Sequence, residues 1–157
     1  MPNHSPDQLG ARRETNATRE QVWNVLADGW TYSQWVVGNS RMRAVDADWP
    51  APGSAIKHSI GLWPLVINDE TLVEECEPQS KLVLLAKMGP VGAARITMLL
   101  SDTPQGTCVE MDEVLVRGPL GWLPESVALA MMWPRNREAL WRLTSLAERQ
   151  VPSELDE

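Results

Sequence analysis

A chain of 157 residues, 43% of them apolar, is long enough for one domain around one core and buries roughly 70% of its unfolded surface on folding. Its 14 Lys and Arg against 21 Asp and Glu leave a net charge of −7, which argues against a phosphate-backbone partner and an anionic membrane surface, so no nucleic acid is expected. No apolar run reaches the ~18 residues of a membrane span, the first ten residues lack the apolar stretch of a secretory signal, and Cys76 and Cys108, far apart and without a CxxC, suit reduced thiols, so a cytoplasmic protein is expected.

Residues 1–10 are polar and turn-rich and read as a flexible arm, ahead of a single domain over 11–150 and a tail over 151–157. Ala11 to Ala17 is a short polar segment with the length of a first strand. Thr18 followed by Gln21 has capping-box spacing, and Val22, Val25 and Leu26 recur at helical intervals, which predicts a helix over 19–27 with Asp28-Gly29 as a left-handed stop. Trp30, Tyr32, Trp35, Val36 and Val37, closed by Gly38, concentrate more aromatic mass than a surface turn carries and predict a short second helix.

From Ser40 the chain changes to apolar runs separated by Pro, Gly, Asp and Ser clusters, the punctuation of an antiparallel sheet. The predicted strands are 41–47, 54–62, 66–77, 82–88, 94–100 and 107–116, and connections this short favour a meander of sequential neighbours. A long helix over 122–149 closes the chain. Leu129, Met132, Trp133, Leu140, Leu143 and Ala147 fall on one stripe, and Leu123, Val127, Ala130 and Met131 form a second stripe before Pro134. Arg135, Arg137, Glu138, Arg142 and Glu148 take the remaining faces, while Pro134 is expected to kink the helix or to start a new one.

This order of elements, with Glu20-Gln21-Val22-Trp23, Tyr32-Ser33-Gln34-Trp35-Val36-Val37-Gly38, Asp48-Trp49-Pro50-Ala51-Pro52-Gly53-Ser54, Gly61-Leu62-Trp63-Pro64, the run from Gly106 to Glu113, and Arg135-Asn136-Arg137-Glu138-Ala139-Leu140, resembles the SRPBCC or START-like superfamily and, within it, the polyketide cyclase/dehydrase-like proteins. The resemblance covers about 15–148. It implies an α+β helix-grip fold: a curved seven-stranded antiparallel sheet wrapped around a long C-terminal helix, two short helices between strands one and two, and an internal hydrophobic cavity. Arg12, Arg13 and Glu14 are the departure, a polar first strand.

Alternation then selects the side chains that face such a cavity. Thr107, Val109, Met111 and Glu113 share one face of the last strand, and Ile56, His58, Ile60 and Leu62 share one face of another, so His58 and Glu113 are the candidate catalytic pair. Arg41, Arg43 or Arg95 could instead pair with Glu113, and an inward histidine is often only a hydrogen-bonded structural residue. Candidate ligand contacts are Tyr32, Trp35, His58, Met88, Met98, Met111, Glu113, Met131 and Trp133, each of which can equally be plain core. Asp69, Glu70, Glu74, Glu75 and Glu77 read as a solvated strand face.

The chain has no GxSxG, Walker loop or dinucleotide turn, and His4 and His58 are its two imidazoles, so neither a metal site nor a cofactor is expected. Three readings follow. The first is a carrier or binding protein for a hydrophobic small molecule such as a lipid, isoprenoid or polyketide. The second is a cyclase or dehydratase using His58 and Glu113, with Tyr32 as helper. The third is a homodimeric interaction module with a vestigial cavity, whose outward Val83, Leu85 and Leu99 make the contact.

Overall fold

The computed structural model describes residues 10–62, 64–87, 92–117 and 125–150, with 62, 117 and 125–132 described by backbone alone. The Met88 and Met131 side chains, the second helical stripe, the arm but for Gly10, and the tail over 151–157 lie outside the described residues. The elements run β1 (Ala11–Thr15), α1 (Arg19–Ala27), a 3-10 turn (Gly29–Thr31), α2 (Tyr32–Trp35), β2 (Asn39–Val45), β3 (Ala55–Leu62), β4 (Leu65–Glu77), β5 (Lys81–Lys87), β6 (Ala93–Thr103), β7 (Gly106–Arg117) and α3 (Glu125–Glu148). The sheet is antiparallel with order β1-β7-β6-β5-β4-β3-β2, a meander closed by the return of β1 to β7. It curves, α3 packs against it, and the short helices lie between β1 and β2, as a helix-grip fold requires.

The capping box at α1 forms in both directions, Gln21 N donating to Thr18 Oγ1 at 3.1 Å and Thr18 N to Gln21 Oε1 at 2.8 Å. The stop is a correction to the sequence reading. Gly29 does not take a left-handed conformation. Asp28 is extended and accepts from Trp30 N at 3.1 Å, while a Cβ on Gly29 would stand 2.5 Å from Val45 Cγ1 and 3.2 Å from the Trp49 ring, so glycine is needed there for close packing. The polar first strand also has its reason. Arg13 Nε donates to Thr144 Oγ1 at 3.0 Å and Thr15 Oγ1 to Glu148 Oε1 at 2.6 Å, so β1 is tied to α3 by polar groups rather than by an apolar stripe.

The core lies between the inner face of the sheet, α1 and α3. Leu82, Leu84, Ile96, Met98, Val109 and Met111 meet Val22, Val25, Leu140, Leu143 and Ala147 there. No new helix starts at Pro134, since α3 continues through it. Of the expected stripe Leu140, Leu143 and Ala147 are buried, joined by Asn136, Ala139 and Thr144, whereas Trp133 is not. Trp133 lies about 50° off the centre of the buried stripe at 100° per residue. It stands 43% exposed with the Arg137 guanidinium 4.6 Å over its ring.

On the convex face Val83 is buried and Leu85 and Leu99 are half-buried, while Val114 and Val116 are exposed. The β6–β7 hairpin is longer than its Pro and Gly suggest, with Thr103 paired to Gly106 across Pro104-Gln105. Gly106 has φ +155°, and a Cβ there would collide with the Thr15 carbonyl and stand 2.8 Å from Asn16 C. Gly106→Ala is therefore expected to cost about 2–3 kcal/mol in urea unfolding, and an unchanged midpoint would contradict the register of β1 on β7.

Candidate functional site

A cavity of about 210 Å³ opens between the inner face of the sheet, the chain leaving α2, and α3. Its apolar wall is Val36 and Val37 after α2, Ile60 on β3, Ile67 on β4, Ala86 on β5 and Ile96 on β6. Leu82 and Leu84 fill the same face of β5 nearer the core, where Ala86 presents only a methyl group. Gly38, with φ +91°, turns the chain from α2 into β2, and Asn39 follows at the edge of the cavity.

The polar side chains on its lining are Tyr32, Asn39, His58, Glu113 and Arg135. Tyr32 Oη and His58 Nε2 both meet the hydroxyl of Thr71, at 3.0 and 2.9 Å. The tyrosine and imidazole rings lie 5.4 Å apart between centroids. Glu113, on β7, accepts at Oε1 from Arg135 Nη2 at 2.6 Å, and its side chain is 2% exposed against 37% for the arginine. His58 Nδ1 and Glu113 Oε2 are buried without a hydrogen-bond partner.

Burial dominates the proton affinities. It lowers the pKa of His58, against the pull of Asp69 and with help from Arg43, so the ring is held neutral. It pushes Tyr32 up to about 12, with Thr71 and Arg135 opposing and Glu113 adding to the rise. Tyr32 is the single tyrosine. Its phenolate absorbance is therefore expected to appear about two pH units above that of a free tyrosine, or only when alkali unfolds the chain. A midpoint near 10 would show the phenol to be solvated. For His58 the folded pKa lies below the unfolded one, so stability is lost as pH falls through about 6.5, where the unfolded chain gains a proton first. His58→Gln is expected to flatten urea stability between pH 7 and 5, and an equal slope in the variant would contradict the assignment.

Of the residues singled out from sequence, Tyr32, His58 and Glu113 meet around this one cavity. Trp35 is buried behind Tyr32, edge to face at 5.3 Å. Met98 and Met111 face each other across β6 and β7 in the core, away from the cavity wall. Trp133 is on the surface.

The arginines expected near Glu113 are elsewhere. Arg43 donates to the carbonyl oxygens of His58 and Asp69, at 3.1 and 2.9 Å from Nη2, Arg95 pairs with Glu74 at 2.6 Å, and Arg41 is exposed. Asp69 leaves the solvated set. It is buried opposite His58 on the inner face. Thr71 and Arg135 were not legible as site residues. The signal for Thr71 was its shared parity with inward Val73. Arg135 follows a proline on a helix face that reads as outer, and only the tertiary fold brings it to Glu113.

Among the described residues no cluster of three or more His, Cys, Asp or Glu is placed to hold a metal ion. No described helix is long and apolar enough to cross a membrane. Cys76 and Cys108 are free thiols, both pushed up by burial.

Residues 16–144 match the family described as Activator of Hsp90 ATPase homolog 1-like protein, and the chain belongs to that family. It is similar in structure to a protein of Nitrosomonas europaea, with TM-score 0.70 and 15% identity over 92% of this chain and 97% of that one. A protein of Rhodobacter sphaeroides matches with TM-score 0.67 and 22% identity over 88% and 91%. DynU16, encoded in the dynemicin biosynthetic locus, matches with TM-score 0.66 and 16% identity over 92% of this chain and 48% of its own. No curated protein matches the chain. The START-like superfamily and helix-grip fold implied by the loop motifs are thus those of this chain. At such identities the neighbours speak for the fold alone.

Proposed function

We propose that this protein binds a small, mainly apolar molecule in the cavity between the sheet and α3, as a carrier or binding protein. The observation that carries this reading is the combination of apolar walls with polar groups confined to Asn39, the Tyr32–Thr71–His58 cluster and the Glu113–Arg135 pair. Apolar surface supplies affinity, and a few fixed polar groups supply orientation. The volume is about seven times a liquid water's share of ~30 Å³ and below the ~300–1,000 Å³ of sites for drug-sized ligands, so the occupant is small or projects from the mouth. A lipid chain fits this less well than one or two rings or a short isoprenoid or polyketide fragment. A cytoplasmic setting belongs to the same proposal, in keeping with two free thiols.

The test is native mass spectrometry of freshly purified protein, then solvent extraction and titration with small aromatic probes. A stoichiometric adduct, or saturable binding of the probes, supports the proposal. A protein that arrives empty and binds none of them overturns it and moves a homodimeric module to the front.

A second reading, a cyclase or dehydratase, is favoured by one observation: a neutral imidazole and a carboxylate line the same cavity, each with an unpartnered atom. General acid–base groups of this kind assist aldol closure or loss of water. His58→Gln and Glu113→Gln that bind substrate normally but lose turnover by about 100-fold or more separate the enzyme from the carrier.

A further inference from the structure

We infer that the cavity selects a ligand carrying a hydrogen-bond donor at one end and a carbonyl-type acceptor at the other, in the manner of a hydroxy-ketone with an apolar body between. The inference rests on the ligand-binding reading above and adds the chemistry of the ligand. Two buried polar atoms without partners define it: Glu113 Oε2 on β7 and His58 Nδ1 on β3. Both residues are more than nine-tenths buried and line the same cavity.

The first atom asks for a donor. Glu113 Oε1 is occupied by Arg135 Nη2 at 2.6 Å, which leaves the second carboxylate oxygen as an unused acceptor. The Glu113–Arg135 pair is neutral as a unit, so a ligand hydroxyl or N–H suits it better than a second anion. An anion would compete with Glu113 for the guanidinium and strand the buried carboxylate.

The second atom asks for an acceptor. Thr71 has one hydroxyl proton to share between Tyr32 Oη and His58 Nε2. A phenol is a stronger hydrogen-bond donor than an aliphatic alcohol, and we assign Tyr32 as the donor to Thr71 and the Thr71 proton to His58 Nε2, one of the arrangements these two contacts allow. A neutral imidazole that accepts at Nε2 carries its proton on Nδ1. That N–H finds no acceptor in the protein.

The two atoms belong to different walls. β7 and β3 are separated in the sheet by β6, β5 and β4, and the curl of the sheet brings both to the cavity. Tyr32 stands between, bonded to the His58 side through Thr71 and within the electrostatic reach of Glu113 and Arg135. A ligand that satisfies both atoms spans the space and has its polar groups at opposite ends.

The experiment is calorimetric titration of the intact chain with four matched probes: 4-acetylphenol, 4-acetylanisole, 4-ethylphenol and 4-ethylanisole. The hydroxy-ketone is expected to bind about tenfold more tightly than either probe lacking one group and about 100-fold more tightly than the probe lacking both. In Glu113→Met the preference for hydroxyl over methoxy is expected to fall within about twofold, while the preference for ketone over ethyl stays.

Affinities equal within about twofold across the four probes on the unmodified protein overturn this inference and leave the ligand-binding reading standing, since ordered water then satisfies the two atoms. Failure of all four to bind overturns both. If Glu113→Met does not fold, the four titrations on the unmodified protein still decide.

Discussion

Ala86→Phe is expected to reduce binding of a small apolar probe by at least about 100-fold while the thermal midpoint stays level or rises. Ala86 lies on the cavity wall, opposite Ala94 on β6 and Thr71 on β4. A benzyl group placed there projects into open volume rather than into close-packed core, so the usual cost of overpacking is reduced and apolar surface is gained. The contrast with Met98 makes the test specific. Met98 is wholly buried in the core, and Met98→Trp should destabilise the fold by about 1–3 kcal/mol with only an indirect effect on binding. Probe affinity that survives Ala86→Phe would place the binding site elsewhere on the molecule.

The second large effect concerns Arg135. Removing it leaves Glu113, 2% exposed at its side chain, as a buried carboxylate without its cation. Loss of one partner from a buried pair costs roughly 3–5 kcal/mol. Arg135 is 37% exposed and partly solvated, so the expected loss for Arg135→Met in urea unfolding is smaller, about 2–3 kcal/mol. Replacing both residues with methionine removes the stranded charge and is expected to return stability to within about 1 kcal/mol of the parent. A single variant as stable as the parent would mean that water reaches Glu113 freely, and the cavity would then be wet at that wall.

The fold was legible because its signals are local and agree with one another. The box at Thr18 and Gln21 places α1, and alternation on β3 and β7 puts His58 and Glu113 on inner faces. Side-chain parity, however, says only which face a residue takes. It does not say how far along the strand the core ends and the cavity begins, and so Met98 and Met111, correctly placed on the inner face, stand in solid core. The partner of Glu113 was hidden for a related reason. Ion pairing depends on where α3 crosses β7, a tertiary quantity. Within α3 the helical wheel gave the buried face, with Leu140, Leu143 and Ala147 on it, without telling where along the helix that face leaves the core, and so Trp133, at the edge of the stripe and nearer the start of the helix, stands exposed. Asp69 shows the same limit in a strand. It belongs to an acidic run that reads as solvated, and only pairing with β3 reveals that it lies opposite His58.

The most direct test of the central claim is amide-resolved NMR of the intact protein during titration with 4-ethylphenol, repeated on Ala86→Phe. Occupation of the cavity predicts saturable shifts gathered on its lining, Tyr32, Val36–Asn39, His58, Ile60, Ile67, Ala86, Ile96, Glu113 and Arg135, and their disappearance in the variant. Shifts that instead gather on the exposed Trp30, Leu65, Val114 and Val116, or that persist unchanged in Ala86→Phe, would contradict it.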